Sequence, residues 1–351
     1  MNNFFLIFFT IFFNLVLIFL LIKLQNKINI FDEPDGFRKL QKKAVPPIGG
    51  FIIFFNVILI FFILLFNKNL FFFEYPFFYE NQKIILRSFF SFFFTSVILF
   101  IIGLYDDKLN IKPLLKVFLL SFIYITTIFI DEKLILENLV FFSSDKIIYL
   151  NKFSLIFTVI CFLFLVNAFN LYDGVNLQSS IYFCSVYFYF YIENIFPTFS
   201  LIFLISNLFF LYLNSRNLMF YGDNGIYINS YIISYFLIID YKYNPTVNLK
   251  SEEILLMFFL PTIEVCRLFF SRVLQLKNPF LGDRNHLHHL LIDKIKNIYI
   301  VNFILFIFII VSFSFIFFKS VYLLEFFLLY TILYILLILV LKNIKIKKNK
   351  L

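Results

Sequence analysis

Carboxylates, amides and imidazoles recur in five short segments of a chain that is otherwise strongly apolar. Two adjacent carboxylates, Asp106 and Asp107, lie in the segment GLYDDKLNIKP at the end of an apolar run. Neighbouring residues on a helix point about 100° apart, so the two side chains can take different tasks. One carboxylate could bind Mg²⁺ or hold a basic residue while the other acts as a base, and Lys116 follows at a position that suits phosphate oxygens. The alternative is a hydrated helix end with a capping role.

A second segment, NAFNLYDGVN, places Asn167, Asn170 and Asp173 at positions i, i+3 and i+6, which predicts one narrow polar stripe at the end of an apolar helix. Amides and a carboxylate are costly in hydrocarbon unless they meet a partner. Hydrogen bonding between helices explains the asparagines equally well. In a third segment, YGDNG, Asp223 lies between two glycines, where a lone carboxylate suits Mg²⁺ but is also ordinary turn chemistry.

All three histidines of the chain, His286, His288 and His289, lie in the fourth segment, DRNHLHHLL. Neither a Cys nor a spaced Glu completes a tetrahedral zinc site around them. Beside Arg284, the cluster is more typical of a site that recognises phosphate or sugar hydroxyls. A purely structural role is the alternative.

The fifth segment, DEPDGFRKLQKKAVPPIGG, contains Arg38 and Lys39 among the basic residues that flank the second apolar run. Flanking charge of this kind is typical of the cytoplasmic end of a membrane helix. Farther along, Glu264 and Arg267 are spaced i, i+3 in PTIEVCR, which predicts an ion pair with a structural role.

The elements that carry these segments are predicted to be membrane helices. Of the 351 residues, 62% are hydrophobic and only 15% are charged, whereas a soluble domain has roughly 25% charged residues. The apolar runs are about as long as ~30 Å of hydrocarbon requires. The fold class is therefore all-α, a polytopic integral membrane protein with about eleven helices. They are predicted at Phe4–Ile22, Ile48–Phe66, Ser88–Leu104, Pro113–Ile130, Phe153–Phe169, Ser179–Ile192, Pro197–Leu213, Ile226–Ile239, Ile254–Phe270, Ile298–Phe318 and Val321–Leu341.

The distribution of positive charge predicts the orientation. With the N-terminus outside, 21 of the 30 Lys and Arg residues fall on the cytoplasmic side, together with all five polar segments. Residues 1–341 then form a single transmembrane domain, and the basic tail 342–351 lies in the cytoplasm near anionic lipid headgroups. The net charge of +9 reflects topology rather than a nucleic-acid partner, which would require a soluble basic face.

Taken in order, the five segments resemble the polyprenyl-phosphate N-acetylhexosamine-1-phosphate transferase family, glycosyl transferase family 4. The DRNHLHH loop is similar to the branch that initiates bacterial O-antigen and teichoic acid. The matching residues are Arg38, Lys39, Pro47, Gly49, Gly50, Asp106, Asp107, Lys116, Asn167, Asn170, Asp173, Gly174, Gly222, Asp223, Gly225 and Asp283 to His289. Three positions depart from the family: Asn176 replaces an Asp tied to nucleotide recognition, Gln41 replaces a His, and Glu264 replaces an Asp.

The resemblance implies an enzyme of the bacterial cytoplasmic membrane. A UDP-activated N-acetylhexosamine and undecaprenyl phosphate would give undecaprenyl-diphosphate-sugar and UMP, which initiates a cell-envelope glycan. Mg²⁺ is the implied cofactor, with Mn²⁺ as an alternative. By motif position, Asp223 and Asp107 are expected metal ligands, and the expected catalytic residues are Asp106, Asp107 and His286. The expected substrate-binding residues are Arg38, Lys39, Lys116, Asn167, Asn170, Asp173, Asn176, Arg284, His288 and His289.

Two other functions are compatible with a polytopic chain of this composition. An ion or solute transporter would place polar residues near the bilayer midplane and on both faces, rather than on one. An inactive relative acting as a scaffold is left open by Asn176. The identity of the sugar, the glycan that is initiated, and the choice between monomer and homodimer are also open.

Overall fold

The structure is a computed structural model that describes residues 3–34, 41, 43–66, 82–141, 147–243, 249–277, 284–318 and 322–343. Over these residues the chain forms thirteen α-helices. They are α1 (Asn3–Ile28), α2 (Gly50–Phe66), α3 (Gln82–Leu109), α4 (Pro113–Ile130), α5 (Ser154–Tyr172), α6 (Gln178–Ile192), α7 (Pro197–Ser215), α8 (Gly222–Tyr243), α9 (Ser251–Met257), α10 (Phe259–Leu274), α11 (Leu287–Ile295), α12 (Ile298–Phe317) and α13 (Leu323–Asn343).

Each of the eleven predicted apolar segments is largely helical over its described residues, which confirms the all-α class. The ninth segment differs from the prediction because it is divided into α9 and α10, which meet at an angle of 78°. Pro261 lies in the first turn of α10, where its missing N–H and its ring prevent a continuous helix. The short helix α11 is an additional element that follows His286.

Seven of the described helices are each long and apolar enough to cross a membrane, and the bent pair α9–α10 adds an eighth if it forms one span. The chain is therefore a multi-pass membrane protein. The number of spans and the orientation stay predictions, as does the division into a domain at 1–341 and a tail at 342–351. Residues 344–351 of that tail lie outside the described residues.

Helix α8 occupies the centre of the bundle, where it packs against α2, α3 and α5. Every residue from Asn224 to Asp240 is buried, although the helix contains several Asn, Ser and Tyr residues. A helix surrounded by other helices can hold polar side chains, because neighbouring helices supply hydrogen-bond partners that lipid does not. Its first turn approaches its neighbours closely, since a Cβ at Gly50 or Gly103 would lie within 2.3 Å of an Asn224 atom.

Two short strands lie between α4 and α5, at the end of the bundle where α5 begins. The strands β1 (Asn138–Val140) and β2 (Ile147–Tyr149) pair antiparallel, with Leu139 opposite Ile148. The Tyr241 hydroxyl near the end of α8 accepts a hydrogen bond from the Val140 amide at 2.6 Å. This contact joins the strand pair to the central helix, far from the polar segments.

Candidate active site

A polar cavity of about 330 Å³ lies at the end of the bundle where α3, α5 and α7 end and α8 begins. Described residues of all five polar segments contribute to its wall, so the segments meet in one place. The lining residues are Asp32, Gln41, Pro47, Asp107, Asn110, Asn170, Leu171, Asp173, Gly174, Val175, Asn176, Asn214, Phe220, Tyr221, Gly222, Asp223, Ile226, His286, His288 and His289.

The wall of the cavity is built partly by the two chain segments that enter α2 and α8. The Gly49 amide donates to the Phe220 carbonyl at 2.8 Å, and the Phe220 amide donates to the Pro46 carbonyl at 3.0 Å. This strand-like pairing satisfies backbone groups that precede both helices. It also fixes the entrance of α8, and with it the position of Asp223.

Asp107, at the end of α3, accepts hydrogen bonds from the first turn of α8. Its Oδ1 atom accepts from the Asp223 amide at 2.7 Å, and its Oδ2 atom accepts from the Asn224 amide at 3.2 Å and from the Asn224 side chain. The first amides of a helix lack partners within the helix and carry partial positive charge, so a carboxylate is favourable there. Gly222, with φ +69°, leaves room for this carboxylate: a Cβ would lie 2.6 Å from Asp107 Oδ2.

Asp106 points to a different set of partners and does not line the cavity. Its Oδ2 atom lies 2.6 Å from Lys116 Nζ and accepts from the Tyr227 hydroxyl at 2.5 Å. The same ammonium lies 3.6 Å from Asp223 Oδ2. Lys116 therefore bridges Asp106 and Asp223 and offsets the repulsion between acidic groups around the entrance of α8.

The donor set at the cavity suits a divalent cation that is shared with a substrate. Among the described residues, no three His, Cys, Asp or Glu side chains converge closely enough to hold a metal on their own. Asp107 and Asp223 do face the same cavity. Mg²⁺ usually takes one or two carboxylates and leaves its other positions to water and substrate phosphates. The two carboxylates fit that arrangement, and they are the two expected metal ligands.

The end of α5 meets the histidine segment at Gly174. A Cβ at this position would lie 2.1 Å from His288 Nε2, so only a glycine admits the imidazole. Burial lowers the pKa of His288 well below its ordinary value, which keeps the ring neutral. Burial raises the pKa of the neighbouring Asp173 carboxyl to about 6. The junction therefore combines a neutral imidazole with a carboxylate that titrates close to neutral pH.

The three histidines are buried together at the wall of the cavity. His286, His288 and His289 are each 5% exposed or less. The ring centroids of His288 and His289 are 4.4 Å apart, and those of His286 and His288 are 5.2 Å apart. His286 immediately precedes α11, and its carbonyl accepts from the Leu290 amide at 3.0 Å. The predicted ion pair behind them is confirmed, since Arg267 Nη2 lies 2.8 Å from Glu264 Oε1.

The departure at Asn176 is accommodated by three other asparagines. The Asn176 side-chain amide donates to the Asn217 side chain and, at 3.4 Å, to the Asn214 carbonyl. The Asn302 side chain donates to the Asn176 carbonyl at 2.8 Å, and Asn214 Oδ1 accepts from the Leu177 amide at 2.6 Å. Residues of α7 and α12 thus hold the turn that follows α5. The Asn176 side chain in this turn lies at the cavity.

Several expected site residues lie away from the cavity or outside the described residues. Asn167 donates to the Leu163 carbonyl of its own helix at 2.7 Å, and the predicted stripe reaches the cavity only at Asn170 and Asp173. Arg284 pairs with Asp293 at 2.7 Å and does not line the cavity. Lys116 also lies behind the wall. Arg38, Lys39 and Asp283 lie outside the described residues.

Three residues of the site were not predicted from the sequence: Asn214, Asn224 and Tyr227. Each is an ordinary polar residue within or next to a helix, and its role depends on a partner far along the chain. Asn224 contacts Asp107 across 117 residues, and Tyr227 contacts Asp106 across 121. Asn224 lies within the YGDNG segment and Tyr227 lies two residues after it, so this segment could have indicated both residues.

The central part of the chain matches a model of a known protein family. No curated protein matches the chain. The sequence model of glycosyl transferase family 4 matches residues 89–240, which include Asp107, Asp173 and Asp223. The match starts within α3 and ends within α8, so it covers both helix ends that meet at the cavity. Over these residues, the chain is similar to glycosyl transferase family 4.

Proposed function

We propose that this protein transfers an N-acetylhexosamine 1-phosphate from a UDP-sugar to undecaprenyl phosphate at the cytoplasmic face of a bacterial inner membrane. The match to glycosyl transferase family 4 supports a polyprenyl-phosphate sugar-phosphate transferase in general. The finer assignment rests on the DRNHLHH segment and on the residues at the cavity. The products are undecaprenyl-diphosphate-sugar and UMP, and the product lipid begins a cell-envelope glycan.

One observation carries the proposal. The carboxylates of Asp107 and Asp223 face a polar cavity that they share with His286 and the Asn170–Asn176 turn, at one end of an apolar bundle. A membrane-bound phosphate and a soluble nucleotide sugar can both reach a cavity at that position. The grouping of Asp107, Asp223 and the three histidines at one end also disfavours a transporter, whose path would cross the bilayer.

In the proposed step, an oxygen of the lipid phosphate attacks the phosphorus that bears the sugar. The bond from this phosphorus to the bridging oxygen breaks, and UMP leaves with that oxygen. Both reactants are anionic, so the site must reduce their repulsion and hold them in line. A phosphate monoester is largely ionised at neutral pH, so orientation matters more than removal of a proton.

Each part of this chain has a distinct task in the proposed step. Asp107, fixed by the first amides of α8, orients the acceptor phosphate and, together with Asp223, holds the cation. Mg²⁺ bound there supplies charge neutralisation at the diphosphate. Lys116 keeps Asp106 and Asp223 from repelling one another. The neutral imidazole of His288 donates to sugar or phosphate oxygens.

An apolar cavity offers a place for the polyprenyl chain of the acceptor. It has a volume of about 330 Å³ and lies farther along α5 and α8, beside the bend between α9 and α10. Its wall includes Leu165, Leu237 and Phe258. Leu165 precedes Asn170 of the polar cavity by five residues, or about 8 Å along the helix. The phosphate and the first isoprene units can therefore lie along one helix.

The proposal is tested by offering the purified protein, in lipid, a panel of radiolabelled UDP-sugars with undecaprenyl phosphate and Mg²⁺. A UDP-N-acetylhexosamine should yield a labelled lipid and an equal amount of UMP, and Mn²⁺ should substitute for Mg²⁺. Failure to form labelled lipid from any of the sugars would contradict the proposal.

The variant Asp223→Asn should lower metal-dependent transfer by about 100-fold or more, because a bound cation contributes several kcal/mol to such a step. Glu137→Gln is the matched control. Glu137 lies 3.5 Å from Lys242 near the start of the strand pair, and its side chain is 70% exposed. The Glu137→Gln protein should transfer at the wild-type rate. An active Asp223→Asn protein would remove Asp223 from the metal site.

A further inference from the structure

The last helix of the bundle contributes a hydroxyl to the network behind the histidines. Tyr334 lies near the middle of α13 and is fully buried. Its hydroxyl donates to Glu264 Oε2 and accepts from Arg267 Nε at 2.7 Å. Both partners belong to α10, so a single hydroxyl of α13 connects the acid and the base of the ion pair.

That ion pair holds the backbone on both sides of His286. Arg267 Nη2 donates to the Asn285 carbonyl at 2.7 Å, and the Leu287 amide donates to Glu264 Oε1 at 2.7 Å. The two contacts involve the peptide group before His286 and the peptide group after it. The backbone at His286 is therefore set by two charged side chains of α10.

The hydroxyl of Tyr334 adds a donor to the Glu264 oxygen that Arg267 Nε also contacts. Glu264 is 3% exposed, so its carboxylate has little access to water and depends on protein donors. Oε2 accepts from the Tyr334 hydroxyl and, at 3.3 Å, from Arg267 Nε, whereas Oε1 accepts from the Leu287 amide and from Arg267 Nη2. Networks of this kind in a low-dielectric interior are sensitive to the loss of one member.

We propose that Tyr334 is a positioning residue for the site. Acting through Glu264 and Arg267, it fixes the peptide groups of Asn285 and Leu287 and thereby the place of His286 at the cavity. The effect on catalysis rests on the proposed transferase function. The effect on the structure of the histidine segment does not.

The test compares Tyr334→Phe with Tyr330→Phe. Tyr330 lies one turn earlier on α13, is also buried, and donates its hydroxyl to the Phe308 carbonyl of α12 at 2.6 Å, away from the ion pair. Two quantities are measured in purified protein: kcat and KM for both substrates, and hydrogen–deuterium exchange of the peptides that cover 284–291.

Tyr334→Phe should lower kcat by about ten-fold or more, the usual scale for a hydrogen bond to a buried charged group. Exchange at the Leu287 amide should rise at the same time. Tyr330→Phe should keep the wild-type rate and exchange, with a similar thermal stability. Wild-type kcat and exchange in Tyr334→Phe would overturn the proposal.

A double variant shows whether Tyr334 acts through Glu264. The loss in kcat for Tyr334→Phe combined with Glu264→Gln should be close to that of Glu264→Gln alone, because both changes break one unit. Fully additive losses would contradict this route.

Two further outcomes separate the positioning role of Tyr334 from the proposed transferase function and from a failure to fold. If the wild type transfers none of the sugars but exchange still rises in Tyr334→Phe, the positioning role holds and the proposed function fails. If Tyr334→Phe does not fold, Arg267→Lys tests the same contacts. The compact ammonium of the lysine does not reproduce the two guanidinium donors that contact the Tyr334 hydroxyl and the Asn285 carbonyl. Raised exchange at 284–291 supports the proposal, and unchanged exchange overturns it.

Discussion

The carboxylates of Asp106 and Asp107 have different partners because a helix rotates successive side chains by about 100°. Asp106 faces Lys116 and Tyr227, whereas Asp107 faces the first turn of α8 and the cavity. The sequence predicted that the two would take different tasks. It left open which residue takes which task, because that depends on where α8 begins in space.

The ionised carboxylate of Asp173 destabilises the fold, although Asp173 is an expected substrate-binding residue. Burial raises the pKa of its carboxyl to about 6, above the value of about 3.9 for a solvated Asp. The folded protein therefore binds more protons than the unfolded chain between these pH values, and the contribution of Asp173 to stability is lost as pH rises through about 6. At neutral pH the ionised carboxylate destabilises the fold.

Asp173→Asn should therefore raise the apparent Tm at pH 7.5 while it lowers the transfer rate. The gain should shrink toward pH 5, where the native carboxyl is itself protonated. Thermal unfolding of both proteins in detergent at the two pH values measures this difference. A variant that is less stable than the wild type at pH 7.5 would show that the carboxylate stabilises the fold.

At the scale of elements, apolar runs were sufficient to predict where most of the long helices lie. They did not predict the bend between α9 and α10, which depends on Pro261 in the first turn of α10. The start of α8 at Gly222, before the predicted Ile226, was also missed, since its polar first turn is stabilised by Asp107 from another helix. Contacts between distant segments decide these features.

The junction of α5 with the histidine segment allows a prediction at this scale. Gly174→Ala places a methyl group 2.1 Å from the present position of His288 Nε2. The imidazole must move, so the transfer rate should fall by about ten-fold or more while the bundle still folds. Kinetics and thermal unfolding measure the two effects.

The control for this change is the His288→Ala background. There the added methyl group has room, so Gly174→Ala should lower the rate no further. An equal loss in both backgrounds would mean that Gly174 acts on the exit of α5 rather than on His288.

The sequence predicted Asp107, Asp223 and the histidines of the cavity wall, but it also predicted Lys116 and Arg284, which lie away from that wall. Asp107, Asp223 and the histidines stand out because such groups are rare in an apolar chain. Asn214 and Tyr334 do not stand out, because Asn and Tyr are abundant in this sequence and acquire their roles only through packing. Asn167 was expected at the cavity, but it bonds to its own helix.

At the scale of the whole molecule, alternating helix directions bring the polar segments to one end of the bundle. Lys108 at the end of α3 lies at the same end as the cavity, and Lys152, just before α5, lies at the other. The positive-inside distribution predicts that the cavity end faces the cytoplasm. Both lysines are exposed and can be replaced by a labelling site.

Side-specific labelling tests this arrangement most directly. Cys161, Cys184 and Cys266 are first replaced, and then Lys108→Cys and Lys152→Cys are made separately. A membrane-impermeant maleimide is applied to intact cells and to permeabilised cells, with and without a UDP-N-acetylhexosamine. Lys152→Cys should react in intact cells. Lys108→Cys should react only after permeabilisation and more slowly with the nucleotide sugar present. Reaction of Lys108→Cys in intact cells would place the cavity outside, where no cytoplasmic sugar nucleotide could reach it.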